Sequence, residues 1–213
     1  MMFSSILSLI VIQKYTRRFL IRNRMIDKKY IVSSSFQTKK WRINQSWYKN
    51  GKSNECEIYQ RNLFEKITNI PCNKSSYRIN MSSYQLNEIP HPMKNKDGFE
   101  WTEDFDGVFL KNGKKIFVNL KFVCNKGGAQ TRTLREVYYF ISGQLKHLLL
   151  CREKEETEEK YFLNILDGDV CFSNMNKFHY LLNKEIYQTI NKYVFVGDMH
   201  EFQKYWSKMN STI

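Results

Sequence analysis

The chain has 213 residues and a mass of 25.7 kDa, which accommodates one well-filled domain and a tail but not two full-sized domains. Hydrophobic residues make up 42%, aromatics 15% and charged residues 26%, a balance that excludes a disordered polyelectrolyte and an integral membrane protein. Basic side chains number 34 against 21 acidic ones, and residues 1–50 hold 11 of the bases with a single acid, Asp27. A nearly balanced body over 51–213 therefore follows a cationic arm or leader, and a polyanionic partner is the simplest reason for that distribution.

In chain order, residues 3–12 form an apolar run about half the ~20 residues that cross a bilayer, followed by Lys14, Arg17, Arg18, Arg22 and Arg24, so no stable membrane insertion is expected. The bases lie on the wrong side of this run for a secretory signal, whereas the lack of acids suits an organellar transit peptide, and Met25 is an alternative start. Further on, Trp41, Trp47 and Tyr48 alternate with Lys39, Lys40, Arg42 and Lys49. This pattern suits either an arm whose cations follow phosphates while its rings stack on bases, or a linker packed on the body. The five cysteines show no CxxC spacing and the four histidines no HExxH arrangement. They argue against a zinc site and for buried free thiols in an intracellular, reducing compartment.

The first helix is predicted over 55–68, where Ile58, Leu63 and Ile67 recur near helical spacing behind the cap candidates Ser53 and Asn54. A polar stretch with Pro71, Pro90 and Pro92 reads as turns. Over 99–124, two alternating apolar runs flank Asn112-Gly113, the dipeptide that favours a two-residue type I′ hairpin turn. Leu134, Val137, Tyr138, Ile141, Leu145 and Leu148 then predict a helix over 131–150 that packs on the sheet. The acidic run 153–159 reads as a solvated loop or fraying helix end. Beyond it the pattern predicts a strand over 161–166, a turn at 167–169, a helix over 176–190, a strand over 193–196 and a last helix over 200–208. An antiparallel hairpin followed by helix-separated strands defines an α/β (α+β) fold, a mixed sheet with flanking helices on both faces.

The hairpin turn sets a register in which Lys111 pairs with Lys114, Asp106 faces Asn119 and Asp104 faces Lys121. Strand side chains alternate, so all four of the latter project to one side, with opposed Cβ atoms roughly 4.5–5.5 Å apart. Two carboxylates, an amide and an ammonium in one patch suit phosphodiester hydrolysis. The oxygens of Asp104, Asp106 and Asn119 would hold Mg²⁺ or Mn²⁺ to activate water, and Lys121 would orient that water or offset charge on the phosphoryl group.

Asp106 followed by Asn119-Leu120-Lys121 on a hairpin resembles the PD-(D/E)xK nuclease superfamily over residues of about 55–200. The resemblance implies a restriction-endonuclease-like αβββαβ core, a divalent metal and cleavage of nucleic acid, DNA ahead of RNA. It implies that Asp106 is the aspartate of the second core strand and Lys121 the lysine of the third, with Asn119 where the family usually carries Glu or Asp. A neutral amide is a weaker ligand for a hard cation, so the alternative is a catalytically inactive, nuclease-fold nucleic-acid-binding protein. Asp104 and Glu136 are the candidates to supply the missing acid. Glu136 lies about 200° around its helix from Leu134, and residues 133–136 read as a capping box, which favours Asp104. Gln130 resembles the polar residue many such nucleases carry at the start of that helix, and Glu57 the acid some contribute from the first helix, a surface Glu being its other reading. The segment 126–130 offers Lys126 and the backbone of Gly127 and Gly128 to phosphate, with Arg132 and Arg135 beside it. A homodimer remains open, as does an interaction or membrane-peripheral protein that acts through the N-terminal arm.

Overall fold

The computed structural model describes residues 38–49, 54–88, 101–124, 128–156 and 159–211. The apolar run 3–12, the bases after it, Lys126 and Gly127 lie outside the described residues. The architecture is mixed α+β, with five helices and two sheets among the described residues. In chain order the helices are α1 (Thr38–Ile43), α2 (Glu55–Thr68), α3 (Gly128–Glu153), α4 (Asp169–Leu182) and α5 (Met199–Ser211). The strands are β1 (Tyr77–Asn80), β2 (Leu86–Glu88), β3 (Thr102–Asp104), β4 (Gly107–Lys111), β5 (Lys114–Phe122), β6 (Lys160–Asp167) and β7 (Val194–Gly197).

The four-stranded sheet runs β4-β5-β6-β7, antiparallel across the hairpin and parallel thereafter. Asn112 and Gly113 take φ of 51° and 76°, the two positive values a type I′ turn requires. The register follows as predicted for five pairs, from Lys111–Lys114 to Gly107–Val118. Beyond that point the chain changes partners. Phe105 donates its N–H to the Tyr77 carbonyl (3.1 Å), Asp106 donates to the Val118 carbonyl (2.8 Å), and β3 pairs with β1 instead of β5. The second sheet, β2-β1-β3, is thus joined to the first through one continuous strand in which only Phe105 and Asp106 separate β3 from β4.

Period-2 alternation along β5 sends Phe117 towards α3 and α4, and Ile116, Val118 and Leu120 towards α2 and α5. On the first face Phe105, Phe117, Phe140 and Phe162 form a ring cluster with centroids 4.8–5.5 Å apart. On the second, Phe64 stacks on Phe202 at 5.2 Å, fixing α2 beside α5. Asp198 and Glu201 exchange backbone–side-chain bonds (2.9 and 3.2 Å) as a capping box that opens α5.

Several elements differ from the sequence pattern. The polar stretch contains β1 and β2, held through Ile79, which is fully buried in the core shared with α3. Helix α3 begins at Gly128, so Thr133 is interior and its hydroxyl donates back to the Ala129 carbonyl (3.1 Å), not a cap. Helix α4 spans 169–182 instead of 176–190, because Gly168 turns the chain abruptly out of β6, and two 3₁₀ turns follow at Glu185–Tyr187 and Asn191–Tyr193. Trp47 stacks on Tyr59 of α2 at 4.5 Å, and Trp41 contacts Tyr59 (5.7 Å) and Phe122 (6.4 Å), so these rings are packed on the body and not presented to bases. The five cysteines are buried free thiols. No helix among the described residues is long and apolar enough to cross a membrane.

Candidate active site

Strand β5 outlasts β4. After Gly107–Val118 the last four residues of β5 have β6 on one side only, and the opening on the other side is where Asp106 sits. Its Oδ2 accepts the Leu120 N–H at 2.6 Å, taking the place of a strand partner. Gly107 makes the turn-off feasible, since a Cβ there would lie 2.6 Å from the Cys72 Sγ. Arg61 of α2 donates to that sulfur (3.3 Å) and pairs with Glu57 (2.8 Å), one helical turn away.

Burial pushes the Asp106 carboxyl above the ordinary carboxylate range, opposed by the Lys121 charge, the Leu120 N–H and Arg61, and reinforced by Glu57. Asp106, Lys121, Glu57 and Arg61 therefore share one electrostatic neighbourhood formed by α2, the link between β3 and β4, and β5. Glu103 joins it from β3. Burial raises its carboxyl too, the Trp101 indole N–H (3.4 Å) and Lys121 hold it down, and Glu136 pushes it up. Half-buried Lys121 thus lies in the fields of two carboxylates, Asp106 and Glu103.

Asp104 does not face Lys121, although its charge also raises the Glu103 carboxyl. Its side chain, 59% exposed, pairs with Arg78 of β1 at 3.0 Å. The predicted Asp104–Lys121 opposition fails because the strand has already switched to β1, where Arg78 is the partner of Asp104. The switch also moves the alternation by one residue, which is why Glu103 takes the place predicted for Asp104. Either parity buries an apolar residue at Phe105, so the hydrophobic pattern gave no warning.

Asn119 is likewise not in an open patch facing Asp106. It is fully buried on the α3 side of β5, and its Nδ2 donates to Asn164 Oδ1 (3.0 Å) of β6. Gln144 of α3 completes a buried amide cluster, donating to the same oxygen (3.0 Å) and accepting from Asn164 Nδ2 (2.7 Å). The Asn119 Oδ1 is buried without a hydrogen-bond partner. Glu136 pairs with Arg132 at 2.9 Å on the α3 surface, Gln130 is half-buried in the first turn, and Arg135 is exposed. Among the described residues no group of three or more His, Cys, Asp or Glu could hold a metal ion. With Asp104 paired to Arg78 and Asn119 buried beside Asn164, the donors Asp104, Asp106 and Asn119 are not brought together as predicted, and Asp106 alone stays at the opening.

The raised Asp106 pKa has a measurable consequence. Folding favours the protonated acid, so its contribution to stability is complete below the unfolded pKa and lost as pH rises through the folded one. The amide of Asp106→Asn keeps an acceptor for Leu120 but cannot ionise. This variant is expected to melt above the parent at neutral pH, with the gain vanishing as pH falls below the carboxylate range; a lower neutral-pH melting temperature would contradict the burial argument. Comparisons with protein-family models, with curated proteins and with solved structures give no match, so the reading of this site rests on the chain's own residues.

Proposed function

We propose that the chain is a nuclease of restriction-endonuclease-like fold that hydrolyses DNA phosphodiester bonds with the aid of Mg²⁺ or Mn²⁺ through Asp106 and Lys121. The observation that carries this reading is the place of Asp106 where β4 parts from β5, its carboxylate accepting the N–H of Leu120, the residue before Lys121. The element order supports it. With β3 and β4 taken as one strand, α2, β1, β3–β4, β5, α3 and β6 read as an αβββαβ core, apart from the short β2 beside β1. Asp106 then stands on the second core strand and Lys121 on the third, as the PD-(D/E)xK resemblance requires.

Asp106 would hold the cation through a carboxylate oxygen, the donor type a hard ion prefers. Such an ion supplies a nucleophilic water near neutral pH and a Lewis acid for the phosphoryl oxygens. The Lys121 ammonium would offset charge that develops on the phosphoryl group. Arg61 and Glu57 hold their positions beside Asp106 as an ion pair, so that its field is fixed before substrate arrives.

A second reading, a non-cleaving nucleic-acid-binding protein, is favoured by the neutral Asn119 and the departure of Asp104. Nicking of supercoiled plasmid by the full chain separates the two. With Mg²⁺ or Mn²⁺ the parent is expected to nick, Asp106→Ala and Lys121→Ala to nick at least about 100-fold more slowly, and chelation to stop the parent. Equal nicking by all three proteins overturns the assignment. Salt-sensitive binding by a parent that never nicks moves the chain to the second reading.

A further inference from the structure

Between α3 and α4 lies an open groove of about 890 Å³ whose lining includes Arg135, Lys177, Tyr138, Tyr139 and Tyr180 but no Asp or Glu. Among the described residues, the large exposed hydrophobic side chains that are aromatic are Trp101, Tyr139 and Tyr180; the two tyrosines are 52% and 70% exposed. Trp101 meets Tyr139 edge-on at 6.0 Å, and its indole donates to Glu103, the carboxyl in the field of Lys121. The rings thus lead from the groove to the candidate active site.

Exposed tyrosines beside Arg135 and Lys177, in a lining without acids, match one kind of polyanion. A duplex offers phosphates but hides its base faces in the stack, whereas an unpaired strand presents both, and every base has a face that stacks on an aromatic ring. We propose that a single-stranded nucleic acid occupies this groove, with bases on Tyr139, Tyr180 and Trp101 and phosphates on Arg135 and Lys177. This rests on the nucleic-acid reading above and deepens it by naming an unpaired strand as the substrate that reaches Asp106 and Lys121.

Fluorescence anisotropy of the full chain in chelator, with labelled oligo-dT, oligo-U and a duplex of equal length, tests it. The parent is expected to bind a single strand more tightly than the duplex, and the two oligonucleotides tell DNA from RNA. Tyr139→Ala and Tyr180→Ala should each weaken single-strand binding at least about fivefold, while Tyr→Phe at both positions retains it. Arg135→Gln and Lys177→Gln should each flatten the log–log salt slope by about 0.7. Tighter duplex binding, or unchanged affinity in the double Ala variant, overturns the proposal. So does a dimer abolished by that variant while oligonucleotide binding persists, which assigns the groove to a second copy. A parent that binds through the rings but never cleaves sinks the enzyme reading and leaves the groove; one that nicks plasmid while the rings prove irrelevant does the reverse.

Discussion

Replacing Gly168 by alanine is expected to lower the unfolding free energy by about 3–5 kcal/mol, towards the extreme of single substitutions. Gly168 adopts φ 98° and ψ 151°, a conformation essentially confined to glycine. A Cβ there would lie 2.1 Å from the Val123 carbonyl oxygen and 2.5 Å from its carbon. Neither atom can give way cheaply. The Val123 N–H donates to the Asp167 carbonyl (2.8 Å) and its carbonyl accepts from Val170 (3.1 Å), so the segment leaving β5 is stitched to both sides of Gly168. Relief requires breaking these bonds, at about 1 kcal/mol each, on top of about 1–3 kcal/mol of backbone strain. Urea unfolding of parent and variant measures the difference; a loss under about 1 kcal/mol would mean that the close approach of the two segments is not maintained in solution.

The same contact explains part of what the sequence could and could not reveal. Features decided by adjacent residues were legible: Asn112-Gly113 set the hairpin and its first five pairs, and the spacing of Leu63 and Ile67 placed α2 over its observed span. The approach of Asp106 to the strand that carries Lys121 was legible too, because the turn's register brings it to the Leu120 N–H. What was hidden depended on partners far along the chain. Nothing in Tyr77–Asn80 alternates strongly, and β1 exists because Ile79 is buried against α3 while Arg78 draws Asp104 away from β5. The space at Gly107 for Cys72, and the switch of strand partners beside it, are likewise non-local events. They remove Asp104 from the site and bring in Glu103, whose only local sign was its position two residues before Phe105. Arg61 was the exception that sequence could have found, as the i+4 partner of Glu57.

The buried amides give the other large effect. Asn164→Leu is expected to cost about 4 kcal/mol, because it strands Asn119 Nδ2 and both polar atoms of the Gln144 amide in the core, at about 1–3 kcal/mol per unsatisfied group. The Phe195 carbonyl also loses a donor at 3.3 Å. Replacing all three amides together, as Asn119→Leu, Asn164→Leu and Gln144→Met, leaves no polar atom of the cluster behind and should cost less than the single change, since members of one network are not additive. A triple variant less stable than Asn164→Leu in urea would refute the network account. The cluster also has work to do beyond stability. Strand β6 is a nearly continuous apolar run, buried on both faces, and such strands specify register weakly through hydrophobicity alone. Asn119 and Asn164 are direct partners in the β5–β6 ladder, so a slip of one residue would set an amide against an apolar neighbour. The same register carries Lys121, two residues further along β5, to its place beside Asp106. The triple variant is therefore expected to stay folded but to lose dispersion in its amide NMR spectrum, as uniqueness of packing gives way before stability does; a parent-like spectrum would show that the phenylalanine cluster alone fixes the alignment of the two strands.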